Sequence, residues 1–340
     1  MSAFGGCKTS AMGILPHKDV DKALELALSL DIPFWPQLPH VSYYQDMYVQ
    51  FSEHFPGMII DETDKKITFN TTLFYEQLPE YIDKTADPET FGLSEKYANV
   101  FHRFLDQDLT KYSAIKGQVM GPISFGMRIS DENLKPMIFH DEVRMLMFEF
   151  TKEKINHQYA ELRKHNPNTI IFFDEPGLEL IFSSISGYTS DMAKRDLAEL
   201  LSGIDGIKGV HLCGNPDWDF LLNAEIDVLS FDAYRRGEVV VRYDSVRRFI
   251  EEGKILEWGI VPTNIELLDV ETEDTLIAKL ELLWDHLVAK GVDKEKIVRN
   301  AQLAPATCNL VGARSEEAVE KAYDLLLRIS ARLKAKYNLE

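Results

Sequence analysis

The stretch Gly209-Val-His-Leu-Cys-Gly-Asn215 joins a short apolar run to a histidine and a cysteine that are two positions apart. Alternate side chains of an extended strand leave on the same face, so His211 and Cys213 are predicted to point to one side. Sulfur and imidazole together are ligands that suit zinc. The alternative is structural, because a buried cysteine commonly packs as a small hydrophobic residue and a histidine at a strand end can simply be hydrogen-bonded.

Apolar, strand-like runs alternate with helical periodicity on both sides of this stretch. The predicted strands begin near residues 11, 33, 115, 169, 209, 228, 254 and 297, and each is followed by a helical segment. Eight such units predict an α/β fold of the (β/α)8 TIM-barrel class. An open doubly wound sheet would alternate in the same way, but no glycine-rich dinucleotide-binding turn follows the first strand.

One insertion interrupts this alternation. Met58-Ile-Ile60 and Ile67-Thr-Phe69 flank a polar turn, which predicts a β-hairpin inserted after the second strand-helix unit. There is no linker-like or low-complexity segment, so we expect one domain over residues 1–340.

Composition excludes several classes of partner. The chain has 55 acidic and 37 basic residues and a formal net charge of -18, which disfavours nucleic acid and anionic membrane surfaces. No apolar run approaches the roughly 18 residues of a membrane span. Three cysteines and an N-terminus without signal-peptide features predict a reducing, cytoplasmic location.

In a barrel of this class the reactive groups lie where the strands end. The polar residues at those positions are Asp174, Glu175, His211, Cys213, Asp232, Thr263 and Cys308. We predict a metal site of one imidazole and two thiolates, with Asp232 as a weaker oxygen ligand. Two structural interpretations stay open: Asp174-Glu-Pro176 as a capped turn, and Asp232 as the cap of the next loop.

The chemistry of that ligand set can be worked forward. Two thiolates, a carboxylate and a neutral imidazole leave zinc electron-rich, so it activates water poorly. A substrate thiol with a pKa of about 8.5 is nevertheless deprotonated when it binds zinc. Its sulfur stays nucleophilic, and the predicted reaction is therefore alkylation of a thiol at sulfur.

Six motifs occur in order along nearly the whole chain: Gly13-Ile-Leu-Pro16, Gly121-Pro122, Asp174-Glu-Pro176, His211-Leu-Cys-Gly-Asn215, Asp232 and Thr307-Cys308. With these motifs the sequence resembles the catalytic domain of cobalamin-independent methionine synthase. The wider group includes uroporphyrinogen decarboxylase and the methylcobalamin:coenzyme M methyltransferases. The resemblance implies a zinc site at His211, Cys213, Asp232 and Cys308, and an Asp174 that holds the amino group of homocysteine.

The chain departs from the family pattern at the substrate. Asp232 stands where the methionine synthases have glutamate, which shortens the reach of the fourth ligand. Ile14 replaces the serine of the first loop, so a substrate carboxylate held there would depend on backbone N–H groups. We therefore predict Ile14, Asp174 and Glu175 as substrate-binding residues. The family's second amino-group carboxylate has no clear match, and the nearest position is His40.

Further departures concern the methyl donor. Folate-dependent members carry a second barrel for which 340 residues leave no room, and the histidine that protonates their folate leaving group is replaced by Pro262-Thr263. An amine leaving group needs a proton, whereas a cobalt(I) corrin does not. The predicted donor is methylcobalamin or a corrinoid protein.

The predicted function is zinc-dependent methylation of homocysteine, bound as a zinc thiolate, to methionine. One alternative is a coenzyme M type enzyme, whose acceptor is another small thiol carrying a sulfonate. A second is a uroporphyrinogen decarboxylase-like lyase, which uses no metal and needs arginines for the substrate carboxylates. A third is a non-catalytic scaffold in which zinc only supports the fold.

Overall fold

A computed structural model describes residues 3–181, 187–308 and 314–339. A seven-stranded sheet forms its centre, in the order β1-β9-β8-β7-β6-β5-β4, and its neighbouring strands are all parallel. The strands of the described ranges are β1 Lys8–Thr9, β2 Met58–Asp61, β3 Lys66–Phe69, β4 Ile115–Met120, β5 Thr169–Asp174, β6 Ile207–Leu212, β7 Val228–Phe231, β8 Ile255–Val261 and β9 Ala301–Pro305. The fold is thus α/β, with a curled parallel half-barrel.

The prediction of a closed eight-stranded barrel is wrong for these residues. Segment 32–37, the predicted second strand, makes one bridge from Phe34 to Lys116 of β4 and one from Gln37 to Ile14. Pro33 and Pro36 have no N–H to donate, so a continuous ladder cannot form here. The first strand is also shorter and earlier than predicted, at Lys8–Thr9 rather than near residue 11.

The inserted hairpin is confirmed. β2 and β3 pair antiparallel from Met58 with Phe69 to Asp61 with Lys66. Lys65 has a φ of 48°, which completes the tight turn between the strands. The Phe69 side chain is buried, and its N–H donates to the carbonyl of Ser130, which fixes the hairpin to the body of the fold.

Helices cover the sheet. They are α1 Val20–Leu28, α2 Met47–Phe51, α3 Thr71–Lys84, α4 Glu95–Leu105, α5 Pro122–Arg128, α6 Asp141–Arg163, α7 Leu178–Ile181, α8 Ser190–Ser202, α9 Trp218–Leu222, α10 Ala233–Val240, α11 Asp244–Glu251, α12 Ile265–Leu268, α13 Glu273–Ala289, α14 Lys294–Arg299 and α15 Ser315–Tyr337. In the 3-10 conformation are Tyr43–Gln45, Pro88–Phe91 and Met137–Phe139. The residues of β4 and β5 are all buried, as expected of parallel strands covered by helices.

One predicted strand boundary is wrong for a local reason. The last strand was expected from Ile297, but that residue lies in α14, because the Asp293 carboxylate accepts from the N–H of Glu295 and starts a helix. A second carboxylate shapes the approach to α6, since that of Asp131 closes a turn by accepting from the N–H of Lys135 before the helix begins at Asp141.

None of the helices in the described ranges combines the length and the apolar composition that crossing a bilayer requires.

Candidate functional site

One row of aligned residues crosses the sheet, at the carboxyl ends of β4, β5 and β6 and nearer the amino ends of β8 and β9. Partners in register on neighbouring parallel strands have side chains on the same face, so this row forms one layer. From one edge to the other the aligned residues are Met120, Asp174, His211, Ser230, Glu257, Gln302 and Lys8. Most of this layer is polar, although the strands that carry it are otherwise mainly apolar.

Three members of the row form a buried hydrogen-bond chain. The Ser230 hydroxyl donates to Oε1 of Glu257 at 2.7 Å, and Nδ1 of His211 lies 2.9 Å from the same hydroxyl oxygen. A serine hydroxyl has one proton, which is already given to the carboxylate, so Nδ1 of His211 must be the donor in the second bond. The chain therefore fixes His211 in the tautomer whose Nε2 carries a free lone pair.

The free nitrogen of His211 is buried. Nε2 has no hydrogen-bond partner, and the residue is 5% exposed. Burial, with a smaller contribution from the charge of Lys116, lowers the pKa of His211 to about 3. The imidazole is neutral at pH 7, which is the form that binds metal ions.

Two of the three cysteines come together at the strand ends. Cys213 follows the last residue of β6, Cys308 follows β9, and the hydroxyl of Thr307 hydrogen-bonds to both thiols. The Cys213 side chain is exposed and that of Cys308 is partly exposed. Loss of water around the sulfurs raises the pKa of Cys213 and raises that of Cys308 to about 11.

The Asp232 side chain caps the start of a helix. It is the N-cap of α10, where its Oδ1 accepts from the N–H of Arg235 at 2.9 Å, and it is 2% exposed. Burial raises the pKa of its carboxyl group. No three of the ligand atoms of His211, Cys213, Asp232 and Cys308, all of which lie in the described ranges, come within 4.8 Å of one another.

The donor types at this position can be compared with those that zinc requires. His211 offers an oriented, unpaired Nε2, and Cys213 and Cys308 offer accessible sulfur near a shared hydroxyl. One imidazole and two thiolates are a donor set for zinc that leaves an open position. The donor types of these three residues, which we call the thiol site, suit the ion, whereas the Asp232 carboxylate already caps α10.

Asp174 lies in the row beside His211. It is 7% exposed, and burial raises the pKa of its carboxyl group to about 7, an effect that the charge of Lys116 opposes and that of Glu257 adds to. Lys116 is itself buried and donates to the carbonyl of Ala11 at 2.8 Å. A carboxylate held at the edge of water in this way favours a cationic partner, such as a substrate ammonium group.

Glu175, the next residue, points to different partners. Its carboxylate accepts from the N–H groups of Ile123 and Ser124 at 3.0 and 2.8 Å and from the Ser124 hydroxyl at 2.6 Å. These donors are the first turn of α5, so Glu175 stabilises the start of that helix. Burial raises its pKa to about 7. Glu175 therefore has a capping role, although the helix that it caps is α5 and not the segment that follows Asp174-Glu-Pro176.

The first loop lies near Cys308. Ile14 is 6% exposed and lines a small cavity of about 10 Å³ together with Cys308 and Thr307. The His40 side chain hydrogen-bonds to the backbone, with Nδ1 2.8 Å from the carbonyl oxygen of Pro16.

A cationic group near Tyr48 was missed by the sequence analysis. Arg128, at the end of α5, is exposed, and its charge and that of Asp174 both act on the hydroxyl of Tyr48, whose pKa burial raises to about 12. Tyr48 therefore lies within the electrostatic range of both charges. No sequence motif marked Arg128, since it lies six residues beyond Pro122 on a short helix.

Ser230, Glu257 and Lys116 were also missed, although the sequence contains a signal for them. Each is a polar residue in the middle of an apolar strand, as in Leu229-Ser-Phe231 and Ile255-Leu-Glu-Trp258. A charged side chain inside a buried strand needs a partner, and such a position is therefore a good candidate for supporting a site.

Comparisons with known proteins place the fold. No family model matches the sequence, and no curated protein matches it. A solved structure described as a methyltransferase from Methanosarcina mazei superposes with a TM-score of 0.55 at 13% identity, over 97% of this chain and 94% of that one. An endo-1,4-beta-mannanase from Rhizomucor miehei reaches a TM-score of only 0.30 at 12% identity, over 96% of this chain and 95% of that one. At these identities the first of the two similarities shows that the chain has the fold of that methyltransferase.

Proposed function

We propose that the protein is a zinc-dependent methyltransferase that methylates a small thiol at sulfur, with homocysteine as the acceptor and methylcobalamin or a corrinoid protein as the donor. The observation that carries this proposal is the thiol site. Cys213 and Cys308, far apart in the chain, share the Thr307 hydroxyl, and His211, with its unpaired Nε2, lies two residues before Cys213 in β6.

The residues of the thiol site would have different roles in binding zinc. His211 presents Nε2 because Ser230 and Glu257 hold its other nitrogen, and the two cysteines supply soft ligands. A zinc ion bound there would lower the pKa of the acceptor thiol and leave its sulfur nucleophilic. Asp232 has the shortest side chain among the proposed oxygen and nitrogen ligands. Its carboxylate also accepts a hydrogen bond from the N–H of Arg235, which competes with binding to zinc.

Charges around the site support an amino-acid acceptor. In this proposal Asp174 would accept hydrogen bonds from the ammonium group of the acceptor, and the exposed Arg128 would bind its carboxylate. A thiol with both groups at one carbon, such as homocysteine, would use both residues at once. A sulfonate thiol such as coenzyme M would use only Arg128.

The proposed donor follows from the balance of the reaction. With methylcobalamin as donor, the acceptor sulfur would take the methyl group, and the corrin would leave with the electron pair of the broken cobalt–carbon bond. No proton has to be delivered to the leaving group, so Thr263 at the end of β8 need not act as an acid. Cys213 is exposed at the end of the strands, which leaves room for a corrin to approach.

The structural comparison gives separate support. The similar structure from Methanosarcina mazei is described as a methyltransferase, and the superposition covers nearly all of both chains. Methyl transfer is the part of the proposal that this similarity favours; the metal, the acceptor and the donor depend on the residues described above.

The proposal is tested by metal analysis together with turnover. Zinc-loaded protein is incubated with methylcobalamin and homocysteine, and both the loss of methylcobalamin absorbance and the formation of methionine are followed. Parallel reactions contain methyltetrahydrofolate as donor or coenzyme M as acceptor. We expect one zinc per chain and methionine from methylcobalamin only. Turnover with coenzyme M but not homocysteine would reverse the choice of acceptor, and metal-free activity on a porphyrinogen would refute the proposal.

A further inference from the structure

A second group of metal-binding side chains lies apart from the thiol site. The ligand atoms of His17, Glu316 and Glu320 all lie within 4.8 Å of one another. Glu316 and Glu320 are four residues apart in α15 and so lie on the same side of that helix, whereas His17 comes from the loop after β1. We call these three residues the first-loop cluster.

The histidine of the cluster provides an independent indication of a ligand. His17 is 0% exposed, and neither of its ring nitrogens has a hydrogen-bond partner. Its Nε2 lies at an ion-pair distance of 3.4 Å from Oε1 of Glu320, but its geometry is too poor for a full hydrogen bond. A buried imidazole normally forms at least one well-aligned hydrogen bond, and the lack of one is costly.

The cluster is also open to solvent on one side. Glu316 and Glu320 line a cleft of about 610 Å³ that is bordered by Lys22 and His40. The Glu320 side chain is 38% exposed, and the Lys22 ammonium pairs with its Oε1 at 2.5 Å. A cation entering from the cleft would keep water as its remaining ligands, and it would replace Lys22 as the positive partner of Glu320.

We infer that the first-loop cluster is a second metal site, which takes a divalent transition-metal ion through Nε2 of His17 and one carboxylate oxygen each of Glu316 and Glu320. An imidazole among the ligands favours zinc, cobalt or manganese over calcium and magnesium, which prefer oxygen alone. The ion would tie the first loop to the start of α15. It would carry no thiolate and would leave open positions for water.

Cobalt(II) distinguishes this site from the thiol site by spectroscopy. Thiolate ligands give intense charge-transfer absorption in the near ultraviolet, whereas nitrogen and oxygen ligands give only weak visible bands. The probe is therefore cobalt(II) added to metal-free, full-length protein carrying Cys213→Ser and Cys308→Ser. We expect this double variant to bind one cobalt with weak visible bands and no near-ultraviolet band.

Further substitutions in the same background assign the site. His17→Gln and Glu320→Gln should each abolish the visible bands, and the second is partly exposed and should leave the fold intact. Glu317→Gln is the matched control, because Glu317 is a neighbouring glutamate of α15 that pairs with Arg314. It should leave cobalt binding unchanged.

Lys22→Met gives an effect in the opposite direction. Removing the ammonium that pairs with Glu320 should tighten cobalt binding, about tenfold for the loss of one close competing charge. A cluster that is only a network of ion pairs would not gain affinity in this way.

Two results would overturn the inference: no cobalt uptake by the double variant, or uptake that is unchanged by His17→Gln and Glu320→Gln. Failure of the proposed function would look different. In that case the wild-type protein would lack the near-ultraviolet band while retaining the visible bands that depend on His17.

Discussion

The thiol site and the first-loop cluster both contain a buried histidine, but the two histidines are supported differently. His211 stands in the ladder of β6, and one of its nitrogens is fixed through Ser230 to Glu257. His17 lies in a loop next to the part of the sheet where Pro33 and Pro36 prevent a ladder, and neither of its nitrogens is held by a hydrogen bond. Regular pairing orients one imidazole, whereas only nearby carboxylates face the other.

This difference suggests a division of roles. An oriented nitrogen beside two soft sulfur ligands is suited to a reaction in which ligand geometry matters. A loop histidine with two helix carboxylates is suited to holding two segments together. Substitutions at the thiol site should therefore alter chemistry more than stability, and the predictions below test that separation.

The largest effect is expected from the cysteines. Cys213→Ser and Cys308→Ser should each abolish zinc binding at the thiol site and methyl transfer, because serine is a far weaker ligand for zinc. Both residues lie at the ends of strands and are at least partly exposed, so the melting temperature should hardly change. Metal analysis, turnover and thermal unfolding together measure this.

Cys7→Ser is the control for these variants. Cys7 is buried and its thiol contacts the carbonyl of Val298, away from the other cysteines. It should retain zinc and activity. If Cys213→Ser or Cys308→Ser instead unfolds the protein, zinc has the role of a structural support, and the catalytic proposal is wrong.

A smaller effect on activity is expected from Asp174→Asn. A charge-assisted hydrogen bond to an ammonium group contributes about 1.5–3 kcal/mol, so kcat/KM for homocysteine should fall roughly 10- to 100-fold. Any turnover of a thiol without an amino group should be unaffected. Arg128→Gln should weaken the binding of thiols that carry a carboxylate and of thiols that carry a sulfonate to the same extent. If Asp174→Asn lowers the turnover of all acceptors equally, Asp174 does not bind the ammonium group.

Asp174→Asn should also change how the free energy of unfolding depends on pH. The pKa of Asp174 is raised to about 7 in the folded protein, so the folded state holds a proton that the unfolded chain releases above about pH 4. This residue therefore reduces stability progressively as pH rises from about 4 to 7. Asp174→Asn should be more stable than wild type at pH 8, by up to about 4 kcal/mol, and equal to it near pH 4.

Glu175→Gln provides the contrast, measured by the same urea titrations. Glu175 has a pKa raised to a similar value, but it accepts three hydrogen bonds from the start of α5. A glutamine would place an N–H₂ group against those donors, so this variant should be less stable than wild type at pH 8. Stabilisation by both substitutions would mean that the hydrogen bonds of Glu175 matter little.

Much of this architecture was accessible from the sequence. Apolar runs such as Thr169-Ile-Ile-Phe-Phe-Asp174 predicted the buried parallel strands, and the turn between Ile60 and Ile67 predicted the hairpin. The closed barrel was wrong because alternation counts strand-like segments and does not reveal whether Pro33 and Pro36 leave enough N–H donors for a ladder.

The candidate site divides in a similar way. The motif around His211 and Cys213 led to the strand end where Cys308 also lies, since strand ends are visible in the sequence. Ser230 and Glu257 could not be assigned to His211, because their alignment depends on the register of three neighbouring strands. That register is set by packing across the whole sheet, which a local motif does not encode.

The smallest effect is expected from Glu257→Gln. The amide can still accept from the Ser230 hydroxyl, so the hydrogen-bond chain persists without its charge, and zinc affinity of the thiol site should fall about tenfold. Ser230→Ala removes the link entirely and should free His211 to populate the other tautomer. Nitrogen chemical shifts of His211 in the metal-free protein would report that change directly. If zinc affinity and the His211 tautomer are the same in wild type and Ser230→Ala, the strand ladder alone orients the imidazole, and the contrast drawn with His17 loses its basis.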